Sequence, residues 1–350
     1  MQLTVEAFTV HKKFALQISR GTTAESTNIL LRIQQENIEG WGEASPFSID
    51  KNQIKGANDL LLESRSIVSL LEKFHPLQRQ EILATLHQLN ISSSIQAAVD
   101  MALYDWLGKK AGLPLWQILG LNCDRTVPIS VTIGINTPEA AVTRLRDWQD
   151  TLNFEMLKLK LGNPQGIEAD RLMVEAVRQA APQTRITVDA NGGWSFEDAV
   201  SMSQWLEQQG VEYIEQPLPV ALDYQLADLS KVSSLPIFVD ESCFISKDIP
   251  RLADSVAGVN LKIMKTGGLT EAIKSIQVAQ ACGLKVMFGC YSDSTLANTA
   301  MAHLATYADY LDLDSHLNLT DDPFAGATIE SGRLMLNCQP GLGVSYAANS

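Results

Sequence analysis

Residues 156–162, MLKLKLG, decide the fold. The run has strand length, its apolar residues are continuous but for two lysines, and those lysines, Lys158 and Lys160, share one face because side chains alternate along a strand. Seven runs of the same kind surround it: VPISVTIGI (127–135), RITVDAN (185–191), VEYIEQP (211–217), PIFVDES (236–242), GVNLKIMK (258–265), KVMFGCYS (285–292) and YLDLDS (310–315). The eight recur every 22 to 29 residues, the length of one strand, one helix and two short loops. Between the second and third, Ala169, Leu172, Met173, Ala176, Val177 and Ala180 are spaced as a helical stripe. Eight parallel strands alternating with helices predict an α/β chain closed as a (β/α) barrel. The competing open sheet would need a glycine-rich phosphate loop after its first strand, and VTIGINTPEA has no GxGxxG. After the eighth run the chain is glycine-rich, with no evident eighth helix.

Before the barrel, LTVEAFTV, FALQIS and NILLRIQQ alternate apolar and polar residues, broken at HKK and RGTTAES and ending at GWGEA, which predicts an antiparallel meander. From about residue 55 the period becomes helical, clearest at Ile95, Ala98, Val99, Ala102 and Trp106. The expected division is an α+β unit over residues 1–124, completed by the tail from about 320 to 350, and a barrel over 125–319.

The 350 residues include 27 basic and 40 acidic, a formal charge of −13, which argues against a nucleic-acid partner. With 45% hydrophobic and 19% charged residues the chain is globular rather than disordered. No run of about 18 uncharged apolar residues exists, and Glu6 interrupts the start before a signal-type segment forms, so no membrane association and a cytoplasmic location are expected. Cys123, Cys243, Cys282, Cys290 and Cys338 are scattered and odd in number, and read as small buried hydrophobes.

Strands buried on both faces should be wholly apolar, yet charges stand at the C-terminal ends of most runs: Lys158, Lys160, Asp189, Glu215, Asp240, Lys262, Lys265, Asp312 and Asp314. That end of a barrel carries the active site. Asp189, Glu215 and Asp240 end three successive strands, and three carboxylates so close call for a cation. Hard oxygen ligands suit Mg²⁺, with Mn²⁺ as a substitute. Zinc is disfavoured, since His11, His75, His87, His303 and His316 form no zinc-type pair. Lys160 and Lys262 fall on opposite walls, so two bases would face a substrate from both sides. Lys158 and Lys265 are expected to lower the pKa of their neighbours.

This constellation resembles the enolase superfamily, in particular its muconate lactonizing enzyme subgroup. The resemblance spans nearly the whole chain, through GWGEA, AAVDMALYDWLGKKAGLPLWQILG, KLKLG, VDAN, IEQP, VDES and NLKIMKTGG in order. It implies a capping domain over a modified (β/α)7β barrel, Mg²⁺ on Asp189, Glu215 and Asp240, and Lys160 and Lys262 as the acid/base pair. The DxD of Asp312 and Asp314 resembles the signature of dipeptide epimerases, where it binds the dipeptide's terminal ammonium. The implied reaction inverts the α-carbon of the second residue by 1,1-proton transfer through an enediolate. Lys158, Lys265 and Asp293 are expected near the substrate, and Asn191 is expected to orient the metal ligands or simply to make a turn. The second side chain would be read by capping-domain loops around 17–25 and 46–53. Relatives acting on Ala-Glu use an arginine there; counting back from AES puts Ser19 at that position and Arg20 one residue later. Either Arg20 reaches in, or the pocket takes an uncharged side chain. The resemblance also implies a homo-oligomer. A cycloisomerase or o-succinylbenzoate synthase, a Schiff-base aldolase and a non-catalytic binder are the competing readings.

Overall fold

The computed structural model describes residues 1–47 and 55–346. The expected meander is an antiparallel sheet of β1 (Gln2–Ile18), β2 (Gly21–Gln35) and β3 (Ile38–Ala44), followed by α1 (Ala57–Leu71), α2 (Arg79–Gln88), α3 (Ser93–Ala111) and the single turn α4 (Leu115–Ile118). Two breaks expected in the meander differ. The HKK segment is not a turn but an irregularity inside a continuous β1, with register shifting between His11 and Leu16. There the strand edge is satisfied by the barrel instead: Lys12 bridges Leu319, and Phe14 N donates to Asn318 Oδ1 at 3.1 Å. The segment 17–25 is not a loop but a tight hairpin whose turn is Ser19 and Arg20.

All eight expected runs form strands of one parallel sheet: β4 (Ser130–Ile133), β5 (Met156–Lys160), β6 (Arg185–Asp189), β7 (Val211–Glu215), β8 (Ile237–Val239), β9 (Gly258–Lys262), β10 (Lys285–Gly289) and β11 (Tyr310–Asp312). The sheet closes where Ile129 bridges Leu311 in parallel and Ser130 Oγ donates to the Leu311 carbonyl at 3.0 Å. Between strands lie α5 (Pro138–Thr151), α6 (Ile167–Ala180), α7 (Phe196–Gln208), α8 (Leu226–Val232), the single turn α9 (Ile263–Thr266), α10 (Leu269–Ala281) and α11 (Thr295–Ala302). The connection from β8 to β9 carries only a three-residue 3-10 turn, Ser246–Asp248, the one place where the βα repeat thins before the end of the barrel. On α6 the buried face is Asp170, Met173, Val174 and Val177, rotated from the expected stripe, and Leu172 is 57% exposed.

The inside of the barrel is layered by the two-residue strand period. At the bottom Tyr213, Phe238 and Tyr310 pack with centroids 4.5 to 5.5 Å apart, joined by Met287. Gly258 makes room for that plug, because a Cβ there would lie 2.3 Å from the Phe238 ring. Two residues further along these strands the layer turns polar, at Glu215, Asp240 and Asp312.

The capping domain is seated by close backbone contact and by buried carboxylates. Helix α3 lies flat on β3: a Cβ on Gly40 would come within 2.2 Å of the Ala102 carbonyl oxygen, and on Gly42 within 1.8 Å of that of Ala98. Asp100 of α3 accepts from Thr270 N at 2.7 Å and Thr270 Oγ1 at 2.8 Å, at the start of α10. Glu43 of β3 accepts from Asn28 Nδ2 at 2.6 Å, Ser294 N at 3.0 Å and Ala297 N at 3.2 Å, at the start of α11. Helix N-termini carry unpaired N–H groups, so acceptors there are favourable. The tail returns over both parts. In it β12 (Phe324–Ala325) pairs with β15 (Ser345–Tyr346), Tyr346 packs 5.0 Å from the Trp41 ring, and the hairpin of β13 (Thr328–Glu330) and β14 (Arg333–Met335) reaches the barrel through Gly332 O, which accepts from Ile129 N. The cysteines are free. Only Cys243 is fully buried, and Cys338 is exposed, so the expectation of buried cysteines fails for most of them. No helix among the described residues is long and apolar enough to cross a membrane.

Two expectations follow for stability. Gly42→Ala should lower unfolding free energy by about 1–3 kcal/mol or more, because the obstacle is helix backbone rather than a flexible side chain; a urea midpoint equal to wild type would contradict it. Glu43 is pushed up to about 8 from 4.5 by burial and then by the charge of Asp293. Between those two values the unfolded chain sheds a proton that the fold retains, so stability falls as pH rises from about 4.5 to about 8. Glu43→Gln should flatten that part of a urea-midpoint profile; an unchanged slope would remove Glu43 as its source.

Candidate active site

The upper layer of the barrel gathers nearly every charge expected at the strand ends. Register places Lys160 beside Asp189, Asp189 beside Glu215, and both Lys262 and Asp312 beside Gly289. β5 and β9 stand four strands apart in a ring of eight, so Lys160 and Lys262 face each other across the mouth. Gly289 keeps their space open, since a Cβ there would meet Lys262 Cε at 2.9 Å.

Each carboxylate of the expected metal set is held by a lysine. Lys160 Nζ lies 2.6 Å from Asp189 Oδ2, and Lys262 Nζ lies 2.7 Å from Asp240 Oδ2. Lys158, one layer below, sits 2.6 Å from Asp312, 2.7 Å from Glu215 and 3.4 Å from Asp189. Burial pushes Asp189 up, but Lys160 and Lys158 outweigh it and hold the carboxyl at about 2. Glu215 goes the other way, to about 7, because burial and the Asp189 charge exceed the pull of Lys158. Asp240 is held far below its ordinary value by Lys262 and Lys265 despite its burial. Lys262 is raised well above the usual lysine range, since Asp240 and Tyr291 overcome desolvation. The expectation that Lys265 depresses Lys262 therefore fails here: the carboxylate between the two ammonium groups dominates.

Lys265 and Lys158 also leave the expected substrate set. Lys265 lies on α9, past the strand, wholly buried, with Nζ on Asp240 O at 2.6 Å, Asp240 Oδ1 at 2.5 Å, and the carbonyls of Cys243 and Asn260 at 2.9 Å. It positions Asp240. Lys158 is equally buried and ties strands together from beneath. Asp293, expected near substrate, lies behind the wall: its carboxylate accepts from Ser45 Oγ and, at 3.1 Å, from Tyr291 N. It thereby fixes Tyr291, whose ring lies 4.4 Å from Lys262 Nζ and stacks on Phe47.

Above the lysines runs a cleft in two halves that share Leu16, Lys160, Cys290 and Tyr291 as a common wall. One half, about 520 Å³, contains Asp312 and Asp314. Thr132 bonds both of these carboxylates, through N to Asp314 Oδ2 at 2.7 Å and through Oγ1 to Asp312 Oδ1 at 3.2 Å, so they face the same side although β11 ends at Asp312. The other half, about 460 Å³, contains Lys262, Asn191, Ile18, Arg20, Pro46 and Phe47. Of the second expected capping segment, residues 48–53 lie outside the described residues. Arg20 is not free: its Nη1 donates to the Asn191 carbonyl at 2.7 Å and pairs with Glu241 Oε1 at 2.8 Å. Asn191 stands where the chain turns after β6. It takes a left-handed φ of 46° and donates to Asp189 Oδ1 through N at 2.8 Å and to Oδ2 through Nδ2 at 3.1 Å.

Sequence reasoning missed three contributors. Glu241 follows Asp240 directly and links Arg20 to Asn191. Asn260 donates to Glu215 Oε1 at 2.8 Å; its place two residues before Lys262, on the same face, was a usable signal. Tyr291 belongs to a loop, and no periodicity predicts where it points.

Among the described residues no three Asp, Glu, His or Cys side chains form a ready-made ion site; the lysine ammonium groups stand between the carboxylates instead. The residues nevertheless fit Mg²⁺. Glu215 Oε2 meets Lys158 at 2.7 Å without a well-aligned hydrogen bond, and the buried oxygens Asn191 Oδ1 and Glu241 Oε2 have no hydrogen-bond partner. Wholly buried carboxylates with spare acceptor oxygens beside them are the hard donor set that this ion prefers.

Comparison with known proteins agrees with this geometry. Residues 3–120 match the family described as mandelate racemase / muconate lactonizing enzyme, N-terminal domain, and residues 140–350 match the enolase C-terminal domain-like family. The chain is 43% identical over 345 residues to the hydrophobic dipeptide epimerase of Roseobacter litoralis, covering 97% of this chain and 98% of that one. It superposes with a TM-score of 0.93 on the dipeptide epimerase of Cytophaga hutchinsonii complexed with Mg and the dipeptide D-Ala-L-Val, at 28% identity over 100% of this chain and 97% of that one. For the dipeptide epimerase of Enterococcus faecalis complexed with Mg and L-Leu-L-Tyr, the TM-score is 0.87 at 31% identity, over 99% of each chain. With a capping sheet, a closed barrel and lysines facing each other across a mouth of buried carboxylates, this chain belongs to the mandelate racemase / muconate lactonizing enzyme family of enolase-like proteins.

Proposed function

We propose that the protein is a Mg²⁺-dependent dipeptide epimerase that inverts the α-carbon of the second residue and favours an uncharged side chain there. The observation that carries this reading is the pair of lysines, Lys160 and Lys262, on opposite walls of one mouth, with two carboxylates, Asp312 and Asp314, at one end of the cleft above them. Two opposed bases suit removal of a proton from one face and its return to the other. The paired carboxylates suit a substrate ammonium group.

Asp189, Glu215 and Asp240 would hold the Mg²⁺, with Lys265 and Asn260 keeping Asp240 and Glu215 in place. When bound, the ion supplies positive charge for the substrate carboxylate, whose oxygens gain electron density as the α-proton leaves. Lys160 and Lys262 act on the proton itself. Either becomes a base only when its ammonium group is freed from the carboxylate that now holds it. Tyr291 covers Lys262 and excludes water from that face. Residues 1–124 and the tail serve as the cap, and the barrel supplies the acid/base and metal groups.

The uncharged preference follows from Arg20. An arginine tied to Glu241 and to the Asn191 carbonyl offers no cation to a glutamate side chain, while Leu16, Ile18, Phe47 and Tyr291 offer apolar contact. Among the relatives, the one from Roseobacter litoralis bears the name hydrophobic dipeptide epimerase.

Mass spectrometry of a dipeptide library incubated in D₂O, with Mg²⁺ and in parallel with EDTA, tests the reading. One deuterium gained at the second residue only with Mg²⁺ is expected; no exchange in any dipeptide would end it. Lys160→Ala and Lys262→Ala should each lower epimerisation by at least about 100-fold while leaving a native circular dichroism spectrum, and near-wild-type turnover in either would exclude the two-base mechanism. Asp314 supplies a pH prediction. Burial and the charge of Asp312 push it up to about 6, so below that value it is neutral and cannot hold an ammonium group. KM should fall as pH rises through about 6 and rise again as the dipeptide's amine loses its proton near about 8. Asp314→Asn should raise KM and remove the acidic limb; an unaltered KM profile would refute the ammonium role.

A further inference from the structure

The half of the cleft that holds Asp312 and Asp314 extends well beyond them, along the face of α5 and under β1. A volume of about 520 Å³ is far more than an alanine side chain fills. Its far wall is built around one guanidinium. Arg144 of α5 packs against two aromatic rings, 3.9 Å from the centroid of Phe14, which comes from the cap, and 4.0 Å from that of Trp148, which comes from the barrel. Both rings are themselves fixed. Trp148 Nε1 donates to the Thr132 carbonyl at 2.9 Å, and Asn318 holds Phe14 through its backbone, accepting from N at 3.1 Å and donating to O at 2.7 Å.

Two rings thus contact the guanidinium. Of its in-plane N–H groups, one reaches Asn318 Oδ1 at the long distance of 3.3 Å. Burial lowers the pKa of Arg144 to about 10, and the charges of Asp314 and Asp147 offset that only in part. A half-buried guanidinium held by aromatic rings, whose one side-chain hydrogen bond is long, can receive a planar anion. Lys13, whose ammonium lies 5.2 Å from the Phe14 ring, adds positive charge to the same wall. Asp147 of α5 also lines this half, so the far wall carries one carboxylate against Arg144 and Lys13.

We propose that Arg144 is a specificity residue for the first residue of the dipeptide, donating in-plane hydrogen bonds to a carboxylate-bearing side chain such as that of glutamate. The proposal rests on the dipeptide epimerase reading, which places the substrate's ammonium group on Asp312 and Asp314. From there the first side chain points away from the lysines and into the wider space that Arg144 closes. The second side chain lies on the far side of Lys160, so specificity at the two positions is read by different walls, one apolar and one cationic.

Deuterium exchange rates for Glu-Leu, Gln-Leu, Ala-Leu and Lys-Leu, measured separately with the Mg²⁺-loaded protein, test this. The expected order of kcat/KM is Glu-Leu above Gln-Leu, above Ala-Leu, above Lys-Leu, with about tenfold or more between Glu-Leu and Ala-Leu. In Arg144→Gln the ratio of Glu-Leu to Ala-Leu should collapse to within about twofold of one, and in Arg144→Glu the order should invert toward Lys-Leu. Ratios within one variant are independent of how much of it folds. A wild-type enzyme that handles Ala-Leu as well as Glu-Leu, or a ratio that survives Arg144→Gln, would overturn the assignment while leaving the epimerase reading intact. Absence of exchange in all four dipeptides would overturn both.

Discussion

The site depends on one ammonium group. Lys158 Nζ, without solvent exposure, lies within 3.4 Å of carboxylates on three other strands, β6, β7 and β11. Removing a lysine from water costs several kcal/mol, and a lone carboxylate costs as much; each is tolerated because it answers the other. Since Asp189, Glu215 and Asp312 stand on strands far apart in sequence, no segment can satisfy this network alone. The charged layer is therefore coupled to closure of the barrel. Above it, Lys160 pairs with Asp189 and Lys262 with Asp240, so each proposed acid/base group already touches a carboxylate of the proposed metal set.

The cap is attached by the same economy of buried acceptors. Asp100 and Glu43 leave the capping domain to satisfy N-terminal donors of α10 and α11, the helices after the sixth and seventh strands. Gly40 and Gly42 bring α3 onto β3, which sets where Glu43 and Ser45 emerge. Ser45 then bonds Asp293, Asp293 bonds the backbone of Tyr291, and Tyr291 covers Lys262. A continuous chain of contacts thus runs from the packing of the cap to the environment of a proposed base. On the opposite side the Ser19–Arg20 turn is anchored to the Asn191 carbonyl, so both edges of the cap are pinned to loops that follow barrel strands.

Much of this was legible in the sequence because strand side chains alternate and helices repeat every 3.6 residues. Eight runs predicted eight strands, and the charges ending them predicted which residues meet at the mouth. Lys160, Asp189 and Glu215 sit in register as their positions in the runs imply. The failures share a cause. Lys265 follows Lys262 so closely that it looks like a strand residue, but the strand ends first, and the helical turn α9 re-aims its side chain. The HKK segment looks like a turn and is strand, because Leu319 and Asn318 supply distant partners for its edge.

By itself, then, the sequence determined the order of strands and helices, the parallel barrel, and the membership of the charged layer, all consequences of local periodicity. Tertiary structure alone decided which partner each charge takes. Arg20 is bound by Glu241 rather than left open, Lys265 is committed to Asp240, Asp293 stands behind the wall, and Arg144 packs against the rings of Phe14 and Trp148. The physical reason is that periodicity fixes the direction of a side chain relative to its own element, whereas the field and the contacts it meets are set by other elements that the fold brings beside it.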